Sequence, residues 1–181
     1  MTRKKLPTRD LCFIAIFTAI IAVLAQVSIP LPFGVPFTLQ TFAIALAGVT
    51  LGAKRGTIST AIYVLLGAIG VPVFANFTGG FGQFATPTGG FLISFPLIAL
   101  AVGIGLEKAK VPGLIIGLIV GIGLNYLCGM IVFTFVTSTN MLAAFTACVL
   151  PFLPTDILKA VLASVFGLKL RTILMKRKLL T

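Results

Sequence analysis

The chain has 181 residues, 59% of them hydrophobic and only 9% charged, against roughly 25% charged in an ordinary soluble domain. Its formal charge of +11 comes from 14 Lys and Arg against three acids, and it contains neither histidine nor tryptophan. With Asp10, Glu107 and Asp156 as its only carboxylates, a paired-acid hydrolase, a His-based triad and a His/carboxylate metal site are all hard to build, so an enzyme, a resident cofactor and a metal centre are not expected. A membrane protein is.

Six apolar runs follow one another, over residues 11–29, 38–52, 57–71, 88–106, 113–136 and 154–170. Six spans of about 20 residues use about 120 residues, which predicts an all-α bundle of six transmembrane helices forming a single integral membrane domain over 1–181. The first run follows Arg3-Lys4-Lys5 and has the look of a secretory signal, but it is longer than a signal's apolar core and is expected to stay as a span. Pro30, Pro32 and Pro36 then break the chain. The second and third runs are short and are separated by Ala53-Lys54-Arg55-Gly56, predicted to be a tight turn between two helices. Pro72 and Pro87 bracket a Gly- and Phe-rich segment, and Pro151 and Pro154 precede the last helix.

Charge placement sets the orientation. Arg3, Lys4, Lys5, Arg9, Lys54, Arg55, Lys108, Lys110, Lys169, Arg171, Lys176, Arg177 and Lys178 all fall on one side if six spans alternate, while the segments 28–37, 72–87 and 137–154 carry no Lys or Arg. By the positive-inside rule both termini are cytoplasmic. The basic excess is thereby assigned to lipid phosphates, with no nucleic acid partner required. Cys12, Cys128 and Cys148 lie far apart in apolar runs, without metal or redox spacing, and are read as packing residues.

One cation escapes this topology. Lys159 lies with Asp156 in Pro154-Thr155-Asp156-Ile157-Leu158-Lys159, at the outer end of the last run. Their i,i+3 spacing puts both on one helix face, and a Lys inside a span must face a cavity or a partner. The pair is either an ion pair that fixes helix rotation or a donor and acceptor for a polar ligand. The loop between Pro72 and Pro87 offers Asn76 and Gln83 as amide hydrogen bonders, Gly80 as a place of close backbone approach, and Phe77, Phe81 and Phe84 as apolar walls. No Gly-Lys-Ser/Thr follows its glycines, which excludes a phosphate-binding loop. Asn125 and Tyr126 fall within the fifth run, where unsatisfied polar groups are costly, so both should point into the bundle, either toward a ligand or toward a neighbouring helix. Gln40 and Thr38 are candidates for the same cavity, with Gln26 and Ser28 weaker ones. Two stripes of small residues suit helix packing: Gly113, Gly117 and Gly121 within the bundle, and Ala15, Ala19 and Ala22 against the bundle or another membrane subunit.

The segments Gly34-Val35-Pro36-Phe37-Thr38-Leu39-Gln40-Thr41, Gly67-Ala68-Ile69-Gly70-Val71-Pro72-Val73-Phe74-Ala75, Pro87-Thr88-Gly89-Gly90-Phe91 and Pro154 to Ala160 together resemble the BioY family, the biotin-specific S components of energy-coupling factor (ECF) transporters. The resemblance runs over nearly the whole chain, in order. It implies a subunit of the bacterial cell membrane that captures biotin from outside and delivers it with one transmembrane T subunit and two cytoplasmic ATPases. ATP is then used by partners, in keeping with the absence of a Walker motif in this chain. The resemblance also implies docking of the T subunit at the alanine stripe and places Asp156 and Lys159 against the biotin head group. Phe37, Phe91 and Ala85-Thr86 depart from the usual pattern. Phe91 replaces a frequent tyrosine and so lacks a hydroxyl. An S component for another vitamin and an ion-coupled secondary transporter are the alternatives, the latter weakened by the single intramembrane carboxylate and the absence of an evident repeated half.

Overall fold

The structure, a computed structural model, describes residues 7–31 and 34–180, so Arg3, Lys4, Lys5 and Pro32 lie outside it. Five α-helices dominate: α1 (Thr8–Ala25), α2 (Gln40–Ala68), α3 (Gly89–Thr137), α4 (Met141–Cys148) and α5 (Leu153–Lys176). A two-stranded antiparallel ribbon, β1 (Ser28–Ile29) with β2 (Phe37–Thr38), ties the α1–α2 loop together, and two 3-10 turns, Ala75–Phe77 and Phe81–Ala85, shape the loop before α3.

Two of these helices turn back on themselves. At 49 residues, α3 would extend about 74 Å if straight, far beyond a hydrocarbon core of about 30 Å. Its backbone leaves helical geometry at Ala109 and Lys110, just before Pro112, and the two halves pack antiparallel. A Cβ on Gly113 would overlap the Gly105 carbonyl, one on Gly117 that of Ala101, and one on Gly121 would lie 3.0 Å from Ile98 Cα. The glycine stripe read from the sequence is thus the seam of this hairpin, where hydrogen in place of a side chain lets the backbones touch.

The reversal in α2 differs from the predicted turn at 53–56. Those residues are helical, and the break is at Gly52, with φ +82° and ψ −179°, a conformation open to glycine and hostile to residues with a Cβ. Glu107 Oε1 accepts the freed Ala53 N–H at 2.9 Å, so a carboxylate from α3 caps the second half of α2. Three further boundaries move. α1 ends at Ala25 rather than near 29, the uncharged segment 137–154 contains α4, and α5 continues to Lys176. Asn140 starts α4 by accepting from Ala143 N–H through its side chain at 2.8 Å.

Buried Ile21, Ile44, Val49, Tyr63, Ile98, Val102 and Leu114 form the core around α2, which packs on α1, α3 and α5. The outer faces are apolar as well, with Leu65 62%, Ile119 68% and Leu142 72% exposed, a surface suited to lipid rather than water. By length and hydropathy α1 and α3 qualify as membrane-crossing helices, and α4 with α5, bent by 53° at their junction, qualifies as a third.

Asp10, Arg9, Arg55, Glu107 and Arg171 make their contacts near the breaks in α2 and α3 and the end of α5. Arg55 Nε meets Asp10 Oδ2 at 2.9 Å, Arg9 donates to the Lys178 carbonyl at 2.5 Å, and Arg171 donates to the Val49 carbonyl at 3.3 Å, close to the Glu107 cap. The ribbon, the 3-10 turns and the start of α5 form a different region of the protein, around a polar cavity.

Candidate ligand-binding site

A cavity of about 250 Å³ opens between the α1–α2 loop, the α2–α3 loop, α3 and the first turns of α5. Asp156 is part of its lining. Pro154 lies in the first turn of α5, where a missing N–H costs nothing, and this start of the helix carries Asp156 and Lys159 inward, 4% and 6% exposed. Lys159 Nζ donates to Asp156 Oδ1 at 2.8 Å, Thr41 Oγ1 to the same oxygen at 3.2 Å, and Tyr126 OH to Oδ2 at 2.6 Å. Residues from α2, α3 and α5 therefore converge on one buried carboxylate, which is how a buried charge is tolerated. An ammonium has three donors, and Lys159 also sits 4.1 Å from the centre of the Phe37 ring, a favourable cation–π geometry. Phe37 in turn stacks on Phe152 with centroids 6.5 Å apart.

A second polar group enters from α2. Gln40 is 5% exposed. Its Nε2 donates to Tyr63 OH at 2.6 Å and its Oε1 accepts from Thr38 Oγ1 at 2.9 Å. On the α3 wall, Asn125 Nδ2 donates to the Phe91 carbonyl at 3.0 Å and to Ser94 Oγ at 2.8 Å. Both its amide hydrogens are used within the protein, so it offers the cavity an acceptor oxygen.

Of the residues singled out in the sequence, Asp156, Lys159, Asn125, Tyr126, Gln40, Thr38, Asn76 and Gln83 line this cavity. Gly80 and Phe81 do not. The Gly80 N–H is tied to the Gly67 carbonyl at 2.7 Å, and Phe81 is 79% exposed, touching Phe84 with centroids 5.5 Å apart. Phe77, 71% exposed, also points away. The aromatic walls come instead from Phe74, Phe91, Phe95 and Phe152, anchored where Phe74 packs edge-on against Tyr63 and Phe84. Gln26 lies outside the cavity and bonds to the α2–α3 loop. Among the alanines, Ala15 and Ala19 are exposed on α1 and Ala22 is half-buried.

Tyr63, Thr41 and Thr88 were not singled out. Tyr63 is fully buried in an apolar run, and its hydroxyl was the available signal, since such a group inside a span needs a partner.

The comparisons with known proteins agree in kind. A sequence profile described as the BioY family matches residues 1–176. The chain belongs to the BioY family. It is 41% identical over 170 residues to a biotin transporter BioY of Thermotoga maritima, covering 93% of this chain and 99% of that one. It is 39% identical over 163 residues to a probable biotin transporter BioY of Pyrococcus horikoshii, covering 90% and 96%. A crystal structure of the S-component for biotin from an ECF-type ABC transporter superposes with a TM-score of 0.86 at 32% identity, covering 95% of both chains. Fold and sequence thus place this BioY-family chain among membrane transport proteins.

Proposed function

We propose that this chain is the biotin-binding S component of an ATP-driven ECF-type uptake system, capturing biotin from outside the cell in the cavity around Asp156. The observation that carries the proposal is the joining of a buried Asp–Lys pair, amide groups and an aromatic wall in one cavity. Biotin has a planar ureido ring with one acceptor oxygen and two N–H donors, an apolar thiophane ring and a carboxylate tail. Asp156 already accepts from Lys159, Tyr126 and Thr41. In the proposed pose Lys159 therefore donates to the ureido oxygen, while the Asn125 carbonyl accepts a ureido N–H. The thiophane ring packs on Phe91, Phe95 and Phe152, and the tail reaches the amides of Asn76 and Gln83 near the mouth.

In this proposal the breaks at Gly52 and at residues 109–110 are cytoplasmic hairpin turns, so that six spans alternate across the cell membrane with both termini inside. The clustering of Asp10, Arg55, Glu107 and Arg171 contacts near those breaks supports this arrangement. The exposed Ala15 and Ala19 face of α1 is proposed to dock a transmembrane T subunit, which couples the chain to two ATPases. Displacement of labelled biotin from membranes containing this chain alone tests the ligand. Unlabelled biotin should compete, and thiamine, riboflavin and niacin should not. Displacement by another vitamin but not by biotin would reassign the cavity.

A further inference from the structure

The loop that carries Asn76 to the cavity is held in an unfavourable conformation. Asn76 has φ 57° and Phe77 φ 55°, two successive left-handed residues. Asparagine tolerates that region, but a bulky residue such as phenylalanine does so rarely. The Phe77 side chain cannot be what holds it, because it is 71% exposed. The turn is closed locally by the Phe74 N–H to Thr78 carbonyl bond at 3.0 Å, and one side chain from another helix grips it from outside. Gln26, at the end of α1, accepts the Phe77 N–H at 2.9 Å through Oε1. Its Nε2 shares its two hydrogens among the carbonyls of Ala22 at 3.0 Å, Val73 at 3.1 Å and Phe74 at 3.1 Å. One amide thus grips the loop on both sides of Asn76 and ties it to α1. The Phe74 ring, 2% exposed and seated over Gly67, fixes the other flank.

We infer that Gln26 is a positioning residue for ligand binding. It does not itself line the cavity, though it bonds the carbonyl of Phe74 in the cavity wall, and it keeps Asn76 at the rim by clamping the strained turn at residues 76–77. For its ligand this inference rests on the biotin reading above; the clamp itself does not.

The test uses the full chain in detergent, with biotin affinity measured by calorimetry and exchange of the Phe77 amide followed without ligand. Gln26→Leu should lower biotin affinity about tenfold, as should Asn76→Ala, the scale of one lost hydrogen bond. The double variant should bind within about twofold of Asn76→Ala, because both changes remove the same contact. Glycine at 77 adopts positive φ freely, so Gln26→Leu with Phe77→Gly should recover to within about threefold of Phe77→Gly alone. A general loss of packing would not be rescued this way. The Phe77 amide should also exchange faster in Gln26→Leu.

Parental affinity in Gln26→Leu, multiplying losses in the double variant, or failure of Phe77→Gly to rescue would each overturn the inference. If Gln26→Leu does not fold, the Phe77→Gly background serves alone, and a tenfold gap between it and its Gln26→Leu derivative overturns the inference. Faster Phe77 exchange in a chain whose parent does not bind biotin would uphold the clamp and refute the ligand, so the two failures are told apart.

Discussion

Replacing Asp156 by alanine leaves Lys159 buried with the face of Phe37 at 4.1 Å and without its carboxylate. Removing one member of a buried ion pair costs about 3–5 kcal/mol. The opposite change, Lys159→Met, leaves Asp156 with two hydroxyls still donating to it, Tyr126 at 2.6 Å and Thr41 at 3.2 Å. Its cost should be about 1–2 kcal/mol. In a chain of this size, thermal unfolding in detergent without ligand should fall by on the order of 10 °C for Asp156→Ala and by a few °C for Lys159→Met. The double variant Asp156→Leu/Lys159→Met removes both charges and should recover most of the lost stability. It should still fail to bind biotin, which separates holding the fold from holding the ligand. Equal destabilisation by the two single variants would refute the asymmetry. Parental biotin affinity in the double variant would reduce the pair to a structural one.

Three further outcomes follow from other parts of the structure. Gly52→Ala places a Cβ against Glu107 Oε1 at φ +82° and should cost at least about 2 kcal/mol, seen as a lower midpoint of thermal unfolding; an unchanged midpoint would mean that the break has moved. Tyr63→Phe removes the hydroxyl that Gln40 Nε2 reaches at 2.6 Å and should weaken biotin binding by about 0.5–1.5 kcal/mol in a calorimetric titration, although Tyr63 does not line the cavity. Ala19→Trp, on the exposed face of α1, should leave biotin binding by the isolated chain unchanged while abolishing uptake in cells that supply T and ATPase subunits; uptake at the parental rate would move the docking surface elsewhere.

The parts of the site that were legible in the sequence were those that break an apolar pattern. Asp156, Lys159, Asn125 and Tyr126 stand out because polar groups in a lipid-facing run would be costly, and all four line the cavity. Which partner each finds was not legible, since the Tyr126 bond to Asp156 and the Asn125 bond to Phe91 cross 30 and 34 residues. Loop aromatics were misplaced for a related reason. Positive φ at Asn76, Phe77 and Gly80 resets the direction of each following residue, so alternation along 76–84 does not tell inward from outward. The turn expected at Lys54-Arg55 lies at Gly52 because Glu107, distant in sequence, caps Ala53. α4 had a local signal in Asn140, an N-cap residue ahead of an apolar run, which the uncharged composition of 137–154 obscured. The glycine stripe on α3 was legible as a packing surface, but its partner, the first half of the same helix, depended on the reversal at 109–110.

The most direct test is a calorimetric biotin titration of the purified chain without partner subunits, repeated for Asp156→Ala and Lys159→Ala. Tight binding by the parent, weakened by at least about 1.5 kcal/mol in each variant, or roughly thirteenfold, is the predicted result. A folded parent that releases no heat with biotin and does not retain it on a desalting column would contradict the assignment of this cavity.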